Sequence, residues 1–86
     1  MRVYISTNVP GAGNDGVAWE SICHGPRPFV WIAYEEFRST SRWVQVERVR
    51  PFMVQLVGKS GYWTELGSRK TLSAAIDLAK RYEVTA

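Results

Sequence analysis

Cysteine, histidine and methionine are scarce in this chain, with one, one and two residues among 86. A lone cysteine, Cys23, excludes an internal disulfide, and nothing in the composition calls for an oxidising compartment. One histidine, His24, beside that cysteine would leave two positions of a zinc site to carboxylates, so no metal centre is expected. Neighbours on an extended chain point to opposite faces, so Cys23 and His24 do not form a nucleophile–base dyad, and no second histidine can relay a proton. No stretch approaches the roughly 20 consecutive apolar residues of a membrane-spanning helix. Ser6, Thr7, Asn8 and Pro10 interrupt any apolar N-terminal run, so no signal peptide is expected and a cytoplasmic location fits.

What is present is ordinary for a small globular chain: 45% hydrophobic, 22% charged and 13% aromatic residues in 9.8 kDa. Surface scaling gives about 5,200 Å² accessible against about 14,000 Å² for the open chain, enough for one small core. There are no repeats, low-complexity tracts or linkers, so residues 1–86 are read as a single domain. Eleven Lys/Arg face eight Asp/Glu, for a net charge of +3. The excess is uneven. Residues 1–41 hold three cations and four anions, whereas residues 42–86 hold eight cations and four anions. A basic half attracts acidic or phosphate-bearing partners.

Alternation sets the secondary-structure expectations. Arg2 to Ser6 reads as a first strand. Residues 7–16, rich in Asn, Gly and Pro, read as a mobile loop able to make adaptable contacts. Val17 to Ile22 is ambiguous between strand and helical turn. Phe29 to Phe37 reads as a central strand, apolar on both faces. Arg38 to Ser41 is a polar turn, and Trp43 to Val49 the next strand, interrupted by Pro51. Phe52 to Val57 and Tyr62 to Leu66 form a hairpin across Gly58-Lys59-Ser60-Gly61, ended by Gly67. Thr71 is the N-cap of a helix whose Leu72, Ala75, Ile76, Ala79 and Tyr82 share one face. The expected fold is α+β: an antiparallel sheet of four or five strands with one C-terminal helix packed on a face.

Several motifs invite chemistry and fail on context. Gly11-Ala12-Gly13-Asn14-Asp15-Gly16 matches G-x-G-x-x-G, but it opens no helix and the chain is too short for a dinucleotide fold, so no cofactor is expected. Glu35 and Glu36 are strand neighbours facing opposite sides, and Glu20, Glu47 and Glu65 read as surface charge. No catalytic residue is assigned, and the protein is not expected to be an enzyme.

The informative feature is a basic and aromatic stretch, Arg38…Arg42-Trp43…Arg48-Val49-Arg50-Pro51-Phe52. In an extended strand Arg42, Arg48 and Arg50 share a face, the last two about 7 Å apart. Lys59, Tyr62 and Trp63 belong to the following hairpin, with Arg69 and Lys70 just after it. These eight residues are the expected partner-binding face, with Tyr62 and Trp63 as anchors. Such a face suits a protein hot spot, where Trp, Tyr and Arg are enriched, or phosphate contact with base stacking.

The pattern of strand, Gly58-Lys59-Ser60-Gly61 turn, strand and Thr71–Arg81 helix, over residues 43–83, resembles two groups. One is the small single-domain anti-CRISPR proteins of phages and mobile elements. The other is the three-stranded, one-helix DNA-binding module of some tyrosine recombinases. The first resemblance implies a phage-type accessory protein in the host cytosol that sterically inhibits a larger host defence complex. The expected partner is then a protein or nucleoprotein complex, with a nucleic acid as the alternative. The protein would act as a monomer or small homo-oligomer, away from membranes.

Overall fold

A computed structural model describes residues 1–83. Five strands make the main sheet: β1 (Arg2–Ser6), β2 (Gly16–Val17), β3 (Phe29–Tyr34), β6 (Phe52–Val57) and β7 (Trp63–Arg69), in the order β2-β1-β3-β6-β7. Two short strands, β4 (Phe37–Ser39) and β5 (Gln45–Glu47), pair with each other in a separate two-stranded sheet. A single helical turn, α1 (Trp19–Ile22), precedes β3, and the helix α2 (Leu72–Lys80) follows β7.

The fold is α+β, as expected, but the sheet is mixed rather than antiparallel. β1 runs parallel to both β2 and β3, with Val3 opposite Val30 and Ile5 opposite Ile32. Parallel neighbours need a crossover of a dozen or more residues. Residues 7–28 supply it through a 3₁₀ turn (Gly13–Asp15), β2 and α1. The remaining pairings, β3 with β6 and β6 with β7, are antiparallel. The second sheet, β4–β5, was not expected; Trp43–Val49 contributes only three residues to it.

The two faces of the main sheet are covered by different elements. On one face Val30, Ile32 and Val54 pack with Ala75, Leu78 and Ala79 of α2. Helical spacing places those three on one side. The sequence pattern predicts Ala75 and Ala79 there, whereas Leu78 joins them and Leu72, Ile76 and Tyr82 pack at the margin. Thr71 caps the helix, its Oγ1 accepting from the Ala74 amide at 3.2 Å. The glycine-rich loop joins this core as well, because Val9 and Ala12 are buried in it. Its chain is stitched by successive turns, Val9 N–H to Ser6 O and Ala12 N–H to Val9 O, both 3.1 Å. Segment 7–16 therefore seals one end of the core, where the sequence suggested an adaptable contact loop.

On the opposite face Phe29, Trp31 and Val57 pack beneath Ile22 and Trp19. Trp19 contacts three rings, with centroids 5.9 Å from Phe29, 5.5 Å from Trp31 and 5.0 Å from Trp63. Aromatic contacts of this kind contribute about 0.5–1.5 kcal/mol beyond area burial. One helical turn can thus cover a sheet face because its first residue is the largest side chain available. Cys23 ends that turn, with its thiol directed at the Glu20 carbonyl oxygen (3.7 Å).

β7 extends past Gly67 to Arg69. A bulge shifts the register there: Val54 faces Gly67, while Gln55 faces Glu65, leaving Leu66 as the extra residue. α2 comes close at this point, and a Cβ on Gly67 would lie 2.9 Å from Leu78 Cδ2. Glycine here serves helix–sheet contact and does not terminate the strand.

Candidate interaction surface

Beyond the end of β3 the chain continues as an arm. Glu35 N–H donates to Pro51 O at 3.0 Å, and Arg48 N–H to Glu36 O at 2.8 Å. From there β4 and β5 pair with Phe37 opposite Glu47, Arg38 opposite Val46 and Ser39 opposite Gln45. Thr40 N–H reaches Val44 O (3.0 Å), and the tip turns through Ser41-Arg42-Trp43-Val44. β3 and β6 therefore continue outward as a two-stranded ribbon, with Pro51 marking the joint where it meets β6. Residues 35–47 are all exposed, and so are Val49 and Arg50. The molecule measures 43 × 27 × 22 Å, and its surface of 5944 Å² exceeds the about 5,200 Å² of a compact chain this size.

An isolated two-stranded ribbon in water is marginal, and it normally covers at least one face. This one leaves five large apolar side chains in water: Phe37, Trp43, Val44, Val46 and Val49. Only two other large apolar residues among the described ones are exposed, Tyr62 and Trp63. Trp43 is 85% exposed at the tip, its ring 5.4 Å from the Arg42 guanidinium carbon. An exposed cation–π contact is worth about 0.5–1 kcal/mol and holds the two side chains as a unit.

The eight residues expected to share one face divide into separate groups. Arg48, Arg50, Arg69 and Lys70 lie around the base of the arm. Arg50 and Arg48 line an open cleft of about 470 Å³ with Arg38, Val46, Glu47, Val49 and Ser68. Arg50 also borders an adjoining cleft with Arg69, Lys70, Thr71 and Ala74. Arg42 sits at the tip. Lys59, Tyr62 and Trp63 belong to the β6–β7 turn at the far end of the sheet. The length of β6, about 17 Å at strand rise, separates that turn from the arm. The single face inferred from alternation does not form, because the residues it joined lie at opposite ends of the same strand.

The two proposed anchors also differ in surroundings. Trp63 stacks on Trp19 and shields the aromatic core, which accounts for its presence without a partner. Tyr62 projects from the turn and is 80% exposed. Arg48 is partly committed too: its guanidinium lies 4.0 Å from a Glu35 carboxylate oxygen, and its side chain is 19% exposed. Arg69 Nη1 donates to the Ser68 carbonyl at 2.7 Å.

Residues absent from the expected set are prominent in the arm: Phe37, Arg38, Trp43, Val44, Val46 and Val49. The signal for them was the charged punctuation at both ends, Glu35-Glu36 before and Arg48-Val49-Arg50-Pro51 after. Among the described residues no helix is long and apolar enough to cross a membrane. No protein-family model, curated protein sequence or solved structure matches this chain.

Proposed function

We propose that this is a non-enzymatic binding protein whose arm, residues 35–51, docks onto a partner protein. The observation that carries the reading is the concentration of exposed Phe37, Trp43, Val44, Val46 and Val49 on one projecting ribbon. A monomer seldom leaves such a set in water unless the surface is used. Burying each of these side chains in an interface contributes about 1.5–3 kcal/mol. Interspersed Arg38, Arg42, Arg48 and Arg50 fit the Trp- and Arg-rich character of hot spots.

Charge favours a protein over a nucleic acid as the arm's main ligand. Residues 35–51 contain four Arg and three Glu, close to neutral, whereas phosphate binding draws on many uncompensated cations. The role suggested by resemblance, steric obstruction of a larger host complex, suits a rigid body that pushes a projecting ribbon into a groove. The alternative is nucleic-acid binding through the cations at the base of the arm.

Affinity capture from a native-host lysate, with and without nuclease, tests the proposal. Wild-type protein is expected to retain a partner after nuclease treatment and in raised salt. Trp43→Ala and Val46→Asp are expected to lose it. Capture that disappears with nuclease, or that survives both substitutions, contradicts the reading.

A further inference from the structure

The ladder of the arm leaves one edge open beside its cationic base. Arg48 to Glu36 and Thr40 to Val44 are hydrogen-bonded backbone pairs. In an antiparallel ladder such pairs alternate with pairs whose backbone groups point outward. Arg38 and Val46 therefore face inward, while Gln45 and Glu47 direct their N–H and C=O groups away from β4. Among the described residues no strand lies on that side of β5. Along β6 the same side is occupied by β7, but β7 ends at Arg69, opposite Phe52, and the chain then turns into α2. Past that point runs the cleft bordered by Val46 to Arg50 and Ser68.

The charge of this place is one-sided. The two adjoining clefts, joined at Arg50, are bordered by five cations (Arg38, Arg48, Arg50, Arg69 and Lys70) and one anion, Glu47. Their net +4 exceeds the +3 of the whole chain, so the remainder is net negative. Among the described residues the only ion pair within 4.0 Å involving these cations is Arg48 with Glu35.

We infer that the open edge of β5 accepts an extended, acidic segment of the partner protein as an added strand. The segment would continue the line of β7. Its backbone would pair with Gln45 and Glu47, its alternate apolar side chains would meet Val46 or Val49, and its carboxylates would meet Arg38, Arg50, Arg69 and Lys70. Strand addition draws affinity from main-chain hydrogen bonds and specificity from alternate side chains. A third strand also removes the weakness of a two-stranded ribbon. This inference rests on the arm being a protein-docking element and adds the mode and the charge of what it takes.

The test uses the isotope-labelled full chain and three probes: a heptapeptide alternating glutamate and valine, its lysine–valine counterpart, and a single-stranded oligothymidylate. The glutamate peptide is expected to shift the amides of Gln45, Glu47 and Val49 saturably. Its affinity should exceed that of the lysine peptide by about tenfold or more. Glu47→Pro, which removes an outward N–H, should abolish binding while β3 and β6 amides stay in place. Arg50→Glu should weaken binding about tenfold with the ladder intact. Equal affinity for the two peptides, no saturable shift, or tighter binding of the oligothymidylate at the same cations would overturn the inference. If those results coincide with loss of native capture in Trp43→Ala, the docking arm stands and only strand addition fails.

Discussion

Three valines in the body and three in the arm show how differently the chain uses one residue type. Val30, Val54 and Val57 are 0% exposed, whereas Val44, Val46 and Val49 range from 48 to 75%. All six lie in or beside extended segments, and all are β-branched residues that suit a pleated strand. The difference is what covers them. β3 and β6 are sandwiched between α2 on one face and α1 on the other. β4 and β5 extend beyond both helices. Stability therefore resides in the body and exposed adhesiveness in the arm, so the two regions respond to substitution in different currencies.

The largest expected effect is in the body. Ile32→Ala, at a fully buried position, should lower unfolding free energy by about 2–5 kcal/mol in chemical denaturation. Trp19→Ala should follow at below about 3 kcal/mol, since the half-buried ring is the lid over Phe29 and Trp31. In the arm, Trp43→Ala should change stability by no more than about 1 kcal/mol, the worth of its exposed contact with Arg42, yet weaken partner capture by a factor corresponding to about 2 kcal/mol or more. A Trp43 variant that unfolds, or an Ile32 variant that is as stable as wild type, would erase the contrast. Thr71→Ala should cost about 1 kcal/mol through loss of the N-cap, measured by thermal unfolding. The smallest effect is expected at the far end of the sheet. Lys59→Glu should leave both stability and capture unchanged, whereas Arg50→Glu should reduce capture alone.

The same contrast explains what was legible in the sequence. The helix 72–80 was, because Thr71 and the spacing of Ala75 and Ala79 are local signals. The β6–β7 hairpin was too, since the Gly58–Gly61 turn lies between two strand-forming runs, and Gly61 adopts the positive φ (+88°) that glycine permits. The parallel partnership of β1 and β3 was not, because it depends on where a 22-residue crossover delivers the chain. The arm was readable only as a strand. Alternation at 43–49 reads alike for a half-buried strand and for a ribbon with no cover, and the covering element is remote in sequence. Arg42, Arg48 and Arg50 were expected on one face of a single strand, but β5 spans only Gln45–Glu47 and leaves Arg42 at the tip and Arg48 and Arg50 at the base. Their grouping with Lys59, Tyr62 and Trp63 further assumed that neighbouring hairpins share an end. β6 instead separates those groups by its full length.

Removing the arm tests the division most directly. Glu36 and Arg48 are the hydrogen-bonded pair at its base, the geometry that a two-residue turn requires, so residues 37–47 can be replaced by Asn-Gly. Thermal unfolding and lysate capture are then measured on this one variant. The account predicts a cooperative transition near that of the full chain and complete loss of the captured partner. An unfolded body, or a partner still held without the ribbon, would contradict it.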